Sequence, residues 1–108
     1  MIFVSIDDFY EKAALCNVLS RQEEIECAIE MKNGDTAARE KLIRSYMPMV
    51  ARHIKYAKPH MQNLGLVLYC RQALEKAVDS FDFLQDSEPF CHRLNWYLRQ
   101  AIVNYIVR

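Results

Sequence analysis

Glycine and proline, the strongest turn formers, are almost missing from this chain. Its 108 residues include two glycines and three prolines, so tight hairpins, which draw on Gly-containing dipeptides, have almost nowhere to form. Ala, Leu, Glu, Lys, Arg, Gln and Met, all strong helix formers, dominate instead. No stretch alternates apolar and polar residues for a useful strand length, and no internal repeat is visible. With 52% apolar residues, the chain can bury one core, and at this length it makes one domain. The expectation is an all-α fold: about five helices in one compact bundle spanning residues 1–108.

Local signals place the helices. Ser5 with Asp8 three residues on starts a first helix running to about Val18. Ser20-Arg-Gln-Glu23 is a capping box that opens a second, with Ile25, Ala28 and Ile29 as its apolar stripe. Asn33-Gly34 stops it, and Asp35 or Thr36 caps the next. A long third helix is expected from about Ala37 to about Ala57. Leu42, Tyr46, Met49, His53 and Ala57 form its stripe, Ile43, Val50 and Ile54 widen it, and Pro48 bends it in the middle. Lys58-Pro59-His60 ends it. Leu64 to about Phe81 makes a fourth helix, Gln85–Pro89 a polar loop, and Phe90–Arg108 the last helix.

The net charge is zero, which weighs against indiscriminate nucleic-acid binding, but the charges are segregated. Residues 1–38 hold three basic and eight acidic side chains, residues 39–70 six and one, and the remainder five and five. Arg44, Arg52 and Lys55 of the basic middle can attract phosphate or an acidic protein surface. No apolar run has the length of a membrane span, and the first residues lack a signal peptide's basic start and cleavage site. Cys16, Cys27, Cys70 and Cys91 form no Cys-x-x-Cys pair. They read as reduced thiols of a cytoplasmic protein, packed as small apolar groups.

The last helix carries the richest chemistry. Trp96 and Tyr97 are neighbours about 100° apart, so one ring must lie near the edge of the buried face, beside Arg99, Gln100 and Asn104. Planar rings next to guanidinium and amide groups suit stacking on unpaired bases and hydrogen-bonding their edges. Other chemistry has no support. Cys91-His92 are adjacent, which is poor geometry for joint metal ligation, and no second ligand pair has zinc spacing. His53 lies on an apolar stripe as a satisfied core histidine, and His60 and His92 are expected at the surface. Asp79 and Asp82 end and cap helices. Met47, Met49 and Met61 read as adaptable packing or part of a partner surface. There is no Ser-His-Asp pattern and no phosphate-cradling glycine loop. The expectation is a non-enzyme with no metal and no cofactor.

Taken in order, these segments resemble region 2, with the short segment before it, of the bacterial sigma-70 family of RNA polymerase sigma factors. Leu19-Ser-Arg-Gln-Glu-Glu-Ile-Glu is similar to that family's Leu-Thr-x-Glu-Glu-Glu opening. Asn33-Gly34-Asp35 and Ala38-Arg39-Glu40-Lys-Leu-Ile43 resemble Gly-Asp…Ala-Arg-Glu-x-Leu-Ile. Tyr46-Met-Pro-Met-Val50 resembles Tyr-Leu-Pro-Leu-Val, Lys76-Ala-Val-Asp-Ser-Phe-Asp82 resembles Lys-Ala-Val-Asp-Lys-Phe-Asp, and Trp96-Tyr-Leu-Arg-Gln-Ala-Ile102 resembles Trp-Trp-Ile-Arg-Gln-Ala-Ile. The resemblance spans residues 19–108 and leaves residues 1–18 as an N-terminal helix.

The resemblance implies a sigma-70 region 2-like bundle that binds the clamp helices of the RNA polymerase core and recognises and opens the promoter minus-ten element, mainly as single strand. It places Trp96 and Tyr97 as the wedge at the melted edge and Gln100 as the reader of a base pair there. Arg99 falls at a phosphate contact or fold support, and Phe90 at a matching phenylalanine. Arg93 stands where the family has a base-stacking tyrosine, and Asn104 is a supporting contact. The family's docking helix reads Asp-Leu-Ile-Gln-Glu-Gly, whereas this chain has Gly65-Leu-Val-Leu-Tyr-Cys70, so both acids and the glutamine are gone. The loop before Phe90 carries Asp86, Ser87 and Glu88, and its two acids repel phosphate. These departures support an alternative: an interaction module with a sigma-like fold that has lost promoter melting and self-associates or regulates through Leu66, Leu68, Tyr69 and Arg71. The final helix runs uncapped to Arg108, with no second helix-turn-helix domain after it, as in a piece of a longer chain or a stand-alone remnant.

Overall fold

The computed structural model describes residues 2–86 and 88–108, so the Ser87 position of the acidic loop lies outside the described residues. They form six α-helices, α1 Ile6–Ala14, α2 Arg21–Lys32, α3 Thr36–Ser45, α4 Met47–Lys55, α5 Leu64–Ser80 and α6 Phe90–Val107, with a single 3-10 turn at Pro59–Met61. No strand occurs among the described residues. The all-α expectation holds. The bundle measures 40 × 25 × 21 Å, with a radius of gyration of 13.8 Å.

The capping signals act as read. Ser5 Oγ accepts from the Asp8 N–H, while the Asp8 carboxylate accepts from the Val4 N–H, one residue before the cap. Ser20 and Glu23 satisfy each other's backbone donors in a full capping box. Gly34 has φ +92°, the left-handed conformation that turns the chain out of α2. Asp35 then caps α3 by accepting from the Ala37 and Ala38 N–H groups.

Three expectations are corrected. The first helix stops at Ala14, short of Val18, and Val18 is exposed. On α2 the buried pair is Cys27 and Ala28, and Ile29 points outward. The long third helix is two helices joined at Tyr46. Pro48 therefore sits in the first turn of α4 rather than in a helix interior. A proline costs little there, because first-turn N–H groups have no intrahelical partner. The break also moves the stripe. Ile43, Met47, Val50 and Ile54 are fully buried, whereas Tyr46, Met49 and His53 lie at its edge. The polar tips explain this. Tyr46 donates its hydroxyl to Glu24 of α2, and the His53 ring nitrogens lie 3.0 Å from the Met49 carbonyl and 2.7 Å from Asn95 Oδ1.

Helix α5 is central. Leu66, Cys70, Ala73, Ala77 on one line and Val67, Leu74, Val78 beside it are all buried. It packs along α6 and also against α3 and α4, while α2 lies on α3 and α1 on α4. Through Phe9 and Ala13, both fully buried, α1 is part of the common core. All four cysteines are free, and burial pushes the Cys70 thiol up to about 12, so it packs as a neutral apolar group.

Candidate nucleic-acid interface

Helix α6 has two chemically distinct faces. Phe90, Leu94, Leu98, Ala101 and Tyr105, at steps of four, four, three and four, are its buried residues. Trp96, Gln100, Val103 and Val107, at steps of four, three and four, run along the opposite side and are exposed. Arg99 and Asn104 flank that line and are exposed too, and Arg93 beside it is half-buried. Trp96 stays 57% exposed although it is the largest apolar side chain in the molecule. Its ring meets Tyr97 edge-on, with centroids 5.3 Å apart. Tyr97 turns toward α5, where its hydroxyl lies 3.2 Å from Ser80 Oγ. The pair is thus fixed from below and open above. Glu88, His92, Arg93, Trp96 and Tyr97 line a shallow notch of about 370 Å³ at this end of the helix. Rings, guanidinium groups and amides on one solvent-facing strip can stack on bases, hydrogen-bond their edges and neutralise phosphate.

The expected site residues divide. Trp96, Arg99, Gln100 and Asn104 share the outer face, and Tyr97 supports it. Arg93 leans back, with its guanidinium 5.8 Å from the centroid of Phe81. Phe90 is corrected: it is only 2% exposed, clasped by Tyr46, Phe81 and Phe83 at centroid distances of 4.7, 5.1 and 5.0 Å. Its ring is core and cannot meet a base without unpacking that cluster. The acid beside the strip, Glu88, sits 3.7 Å from His92 Nδ1. Ser80, which anchors Tyr97, escaped the sequence reading. Only the antiparallel register of α5 against α6 brings the two together, and no local pattern reports that register.

The expected partner face also changes. Leu66 is fully buried, because it begins the core line of α5. Tyr69 packs edge-on against Tyr105 at 5.3 Å. Arg71 is bound on both sides, its Nη2 donating to Glu40 at 3.1 Å and its Nε to Glu75 at 3.2 Å, which ties α3 to α5. Leu68 alone of the four stands clear, at 56% exposure, over a shallow depression of about 310 Å³ that Phe3, Leu64 and Val67 also line. The glycine in place of an acid has a packing cause. A Cβ on Gly65 would come within 3.2 Å of the Tyr105 ring and 3.1 Å of Asn63 Oδ1, and that Asn63 oxygen accepts from both the Leu66 N–H and the Tyr105 hydroxyl.

The basic middle is partly spent inside the fold. Arg39 makes a two-pronged pair with Asp79, at 2.8 and 2.9 Å, which holds the Asp79 carboxyl below its usual range. Arg44 pairs with Glu40 at 3.3 Å. Lys55 lies 4.8 Å over the Tyr10 ring. Among the described residues no helix is long and apolar enough to cross a membrane.

No protein-family model matches the chain. It is 34% identical to the RNA polymerase sigma factor SigA of Clostridium acetobutylicum, over 95% of this chain and 28% of that protein. The chain thus spans little more than a quarter of that relative's length, and the matched stretch reaches into residues 1–18, beyond the motifs that first suggested the kinship. Motif order, helical fold and this similarity make the chain a relative, over nearly all its length, of a segment of the sigma-70 family.

Proposed function

We propose that this chain acts in transcription initiation as a non-catalytic sigma-like module, binding RNA polymerase and engaging the promoter minus-ten element through the outer face of α6. One observation carries the reading: Trp96 stands opposite the buried side of α6, on the same strip as Arg99, Gln100 and Asn104. Leaving an indole in water forgoes its apolar burial, and Phe90, Leu94 and Leu98 on the same helix do not pay that cost. A base stacked on the indole would recover it. Gln100, one turn on, is placed to pair with a base edge, and Arg99 with phosphate. The work assigned to the site is melting and holding a strand, which needs stacking and charge rather than a nucleophile or an acid–base pair.

A second reading rests on Leu68 and the missing acids of the docking segment: the fold persists as an interaction module without promoter opening. One experiment separates the two. Trp96 is the chain's single tryptophan, so its fluorescence reports this strip alone. Titration with a single-stranded minus-ten oligonucleotide is expected to quench it saturably, more than a scrambled strand does, and less as salt rises. Trp96→Ala, followed by fluorescence anisotropy of a labelled strand, is expected to weaken binding by roughly tenfold or more, since base–aromatic stacking is worth about 1–3 kcal/mol. No quenching at low salt would leave the interaction module standing.

A further inference from the structure

A second exposed feature lies at the other end of α6. Tyr56, Ala57, Met61, Ile102, Tyr105 and Ile106 line a groove of about 550 Å³ between the end of α4, the 3-10 turn and the last turns of α6, with Lys58, His60 and Arg108 on its rim. Among the described residues no carboxylate side chain lines it. Tyr56 is 89% and Ile106 59% exposed, among the more open large side chains of the protein. A nucleic acid suits this groove poorly. Beside its two tyrosines the apolar lining is Ala57, Met61, Ile102 and Ile106, which offer a base neither a stacking plane nor a hydrogen bond, and the Tyr105 ring is already covered by the Arg108 guanidinium 3.7 Å from its centroid. An apolar side chain flanked by carboxylates suits it well: the first fills the floor, and the second meets Lys58 and Arg108.

The chain itself carries such a surface. Gln22, Glu26, Ile29 and Glu30 lie on the outer face of α2 at steps of four, three and one, with Asn33 capping its end, and all are exposed. Among the described residues neither Glu26 nor Glu30 makes an ion pair, and Ile29 stands between them at the surface, an isoleucine ringed by acid. The charge segregation along the chain points the same way: eight acids against three bases in residues 1–38, six bases against one acid in residues 39–70, and a net charge of zero, at which molecules do not repel one another.

We propose that the groove at the end of α6 receives the acidic outer face of α2 from a second copy of the chain, with Ile29 against Ile106 and Met61, and Glu26 and Glu30 against Lys58 and Arg108. The contact is head to tail. Each molecule offers one groove and one α2, so association continues past two copies unless the geometry closes a ring. Ile102 and Ile106 lie on the flank of α6 that faces α4, so the Trp96–Gln100 strip stays open in the assembly.

Sedimentation velocity on the whole chain tests this. At low salt the weight-average sedimentation coefficient is expected to rise with protein concentration, and to rise less at high salt, where charges are screened. Ile106→Asp and Glu26→Lys/Glu30→Lys should each abolish the rise. All three positions are exposed, so both variants should keep the wild-type circular dichroism; should Ile106→Asp fail to fold, Lys58→Glu replaces it. An equimolar mixture of the groove variant and the α2 variant should recover a two-chain species and nothing larger, because one intact groove then meets one intact α2. Trp96→Ala should associate as wild type does, which keeps this outcome separate from the fate of the DNA reading. A sedimentation coefficient that stays flat with concentration at low salt overturns the proposal, as does association that survives both variants.

Discussion

Phe90 and Trp96 occupy the same helix and differ in what surrounds them. The Phe90 ring touches three other rings and no solvent, while Trp96 touches Tyr97 and water. Truncating a buried phenylalanine removes its transfer free energy and leaves a void, together about 3–5 kcal/mol. Phe90→Ala should therefore lose about that much, a large share of what holds a domain of this size together, read as a lower urea midpoint with the slope unchanged. Trp96→Ala should stay within about 0.5 kcal/mol of the parent, as surface substitutions do. The sequence showed that Trp96 and Tyr97 could not both be central, since adjacent helical residues diverge by about 100°. It did not show which ring would be open, because that depends on where Ser80 of α5 stands against α6. Phe90 was misplaced for a related reason: matching a family motif says which residue stands at a position, not how deeply the fold buries it.

At the scale of elements, the legible features were those written within a few residues. Ser20 with Glu23, Asn33-Gly34 and Asp35 each report a helix end through backbone groups three or four positions away, and each acts as read. Pro48 marks a bend in this stretch, but the full break at Tyr46 was not legible, because the apolar pattern runs across it without interruption from Leu42 to Ile54. At the break the Tyr46 hydroxyl donates to Glu24 of α2, and burial raises its pKa with the carboxylate's help. The two readings of this segment differ in what Pro48 costs. A proline inside a continuous helix forfeits about 3 kcal/mol relative to alanine, so Pro48→Ala would then raise stability by a comparable amount. In the first turn of α4 the missing N–H is no loss, and proline restricts the unfolded chain, so Pro48→Ala should change stability by less than about 1 kcal/mol and in the destabilising direction. Urea unfolding followed by far-ultraviolet circular dichroism decides it; a gain near 3 kcal/mol would restore the single bent helix.

Across the whole molecule, charge is arranged to hold helices together as well as to meet partners. Arg71 bridges Glu40 of α3 and Glu75 of α5, and Arg39 of α3 reaches Asp79 farther along α5. The Arg39–Asp79 pair has the two-pronged geometry that makes arginine–carboxylate contacts strong. Asp79 is 54% exposed, however, so solvent screens the pair and its contribution should be about 0.2–1 kcal/mol. The sign of its pH dependence follows from the direction of the shift. The arginine beside it lowers the folded carboxyl below its unfolded value of about 3.9, so the stabilisation is present above pH ~4 and is lost as pH falls through the folded pKa. Arg39 is shifted upward, so it titrates only in strong base and adds nothing to the acid range. Asp79→Asn keeps the size of the side chain and removes the charge. It should be less stable than the parent by that small amount at neutral pH, and the gap should close on acidification below about pH 4, where the parent's Asp79 takes up a proton. A gap that persisted unchanged to pH ~2 would mean that Asp79 holds α3 to α5 through shape and neutral hydrogen bonds, and that charge does not fasten this side of the bundle.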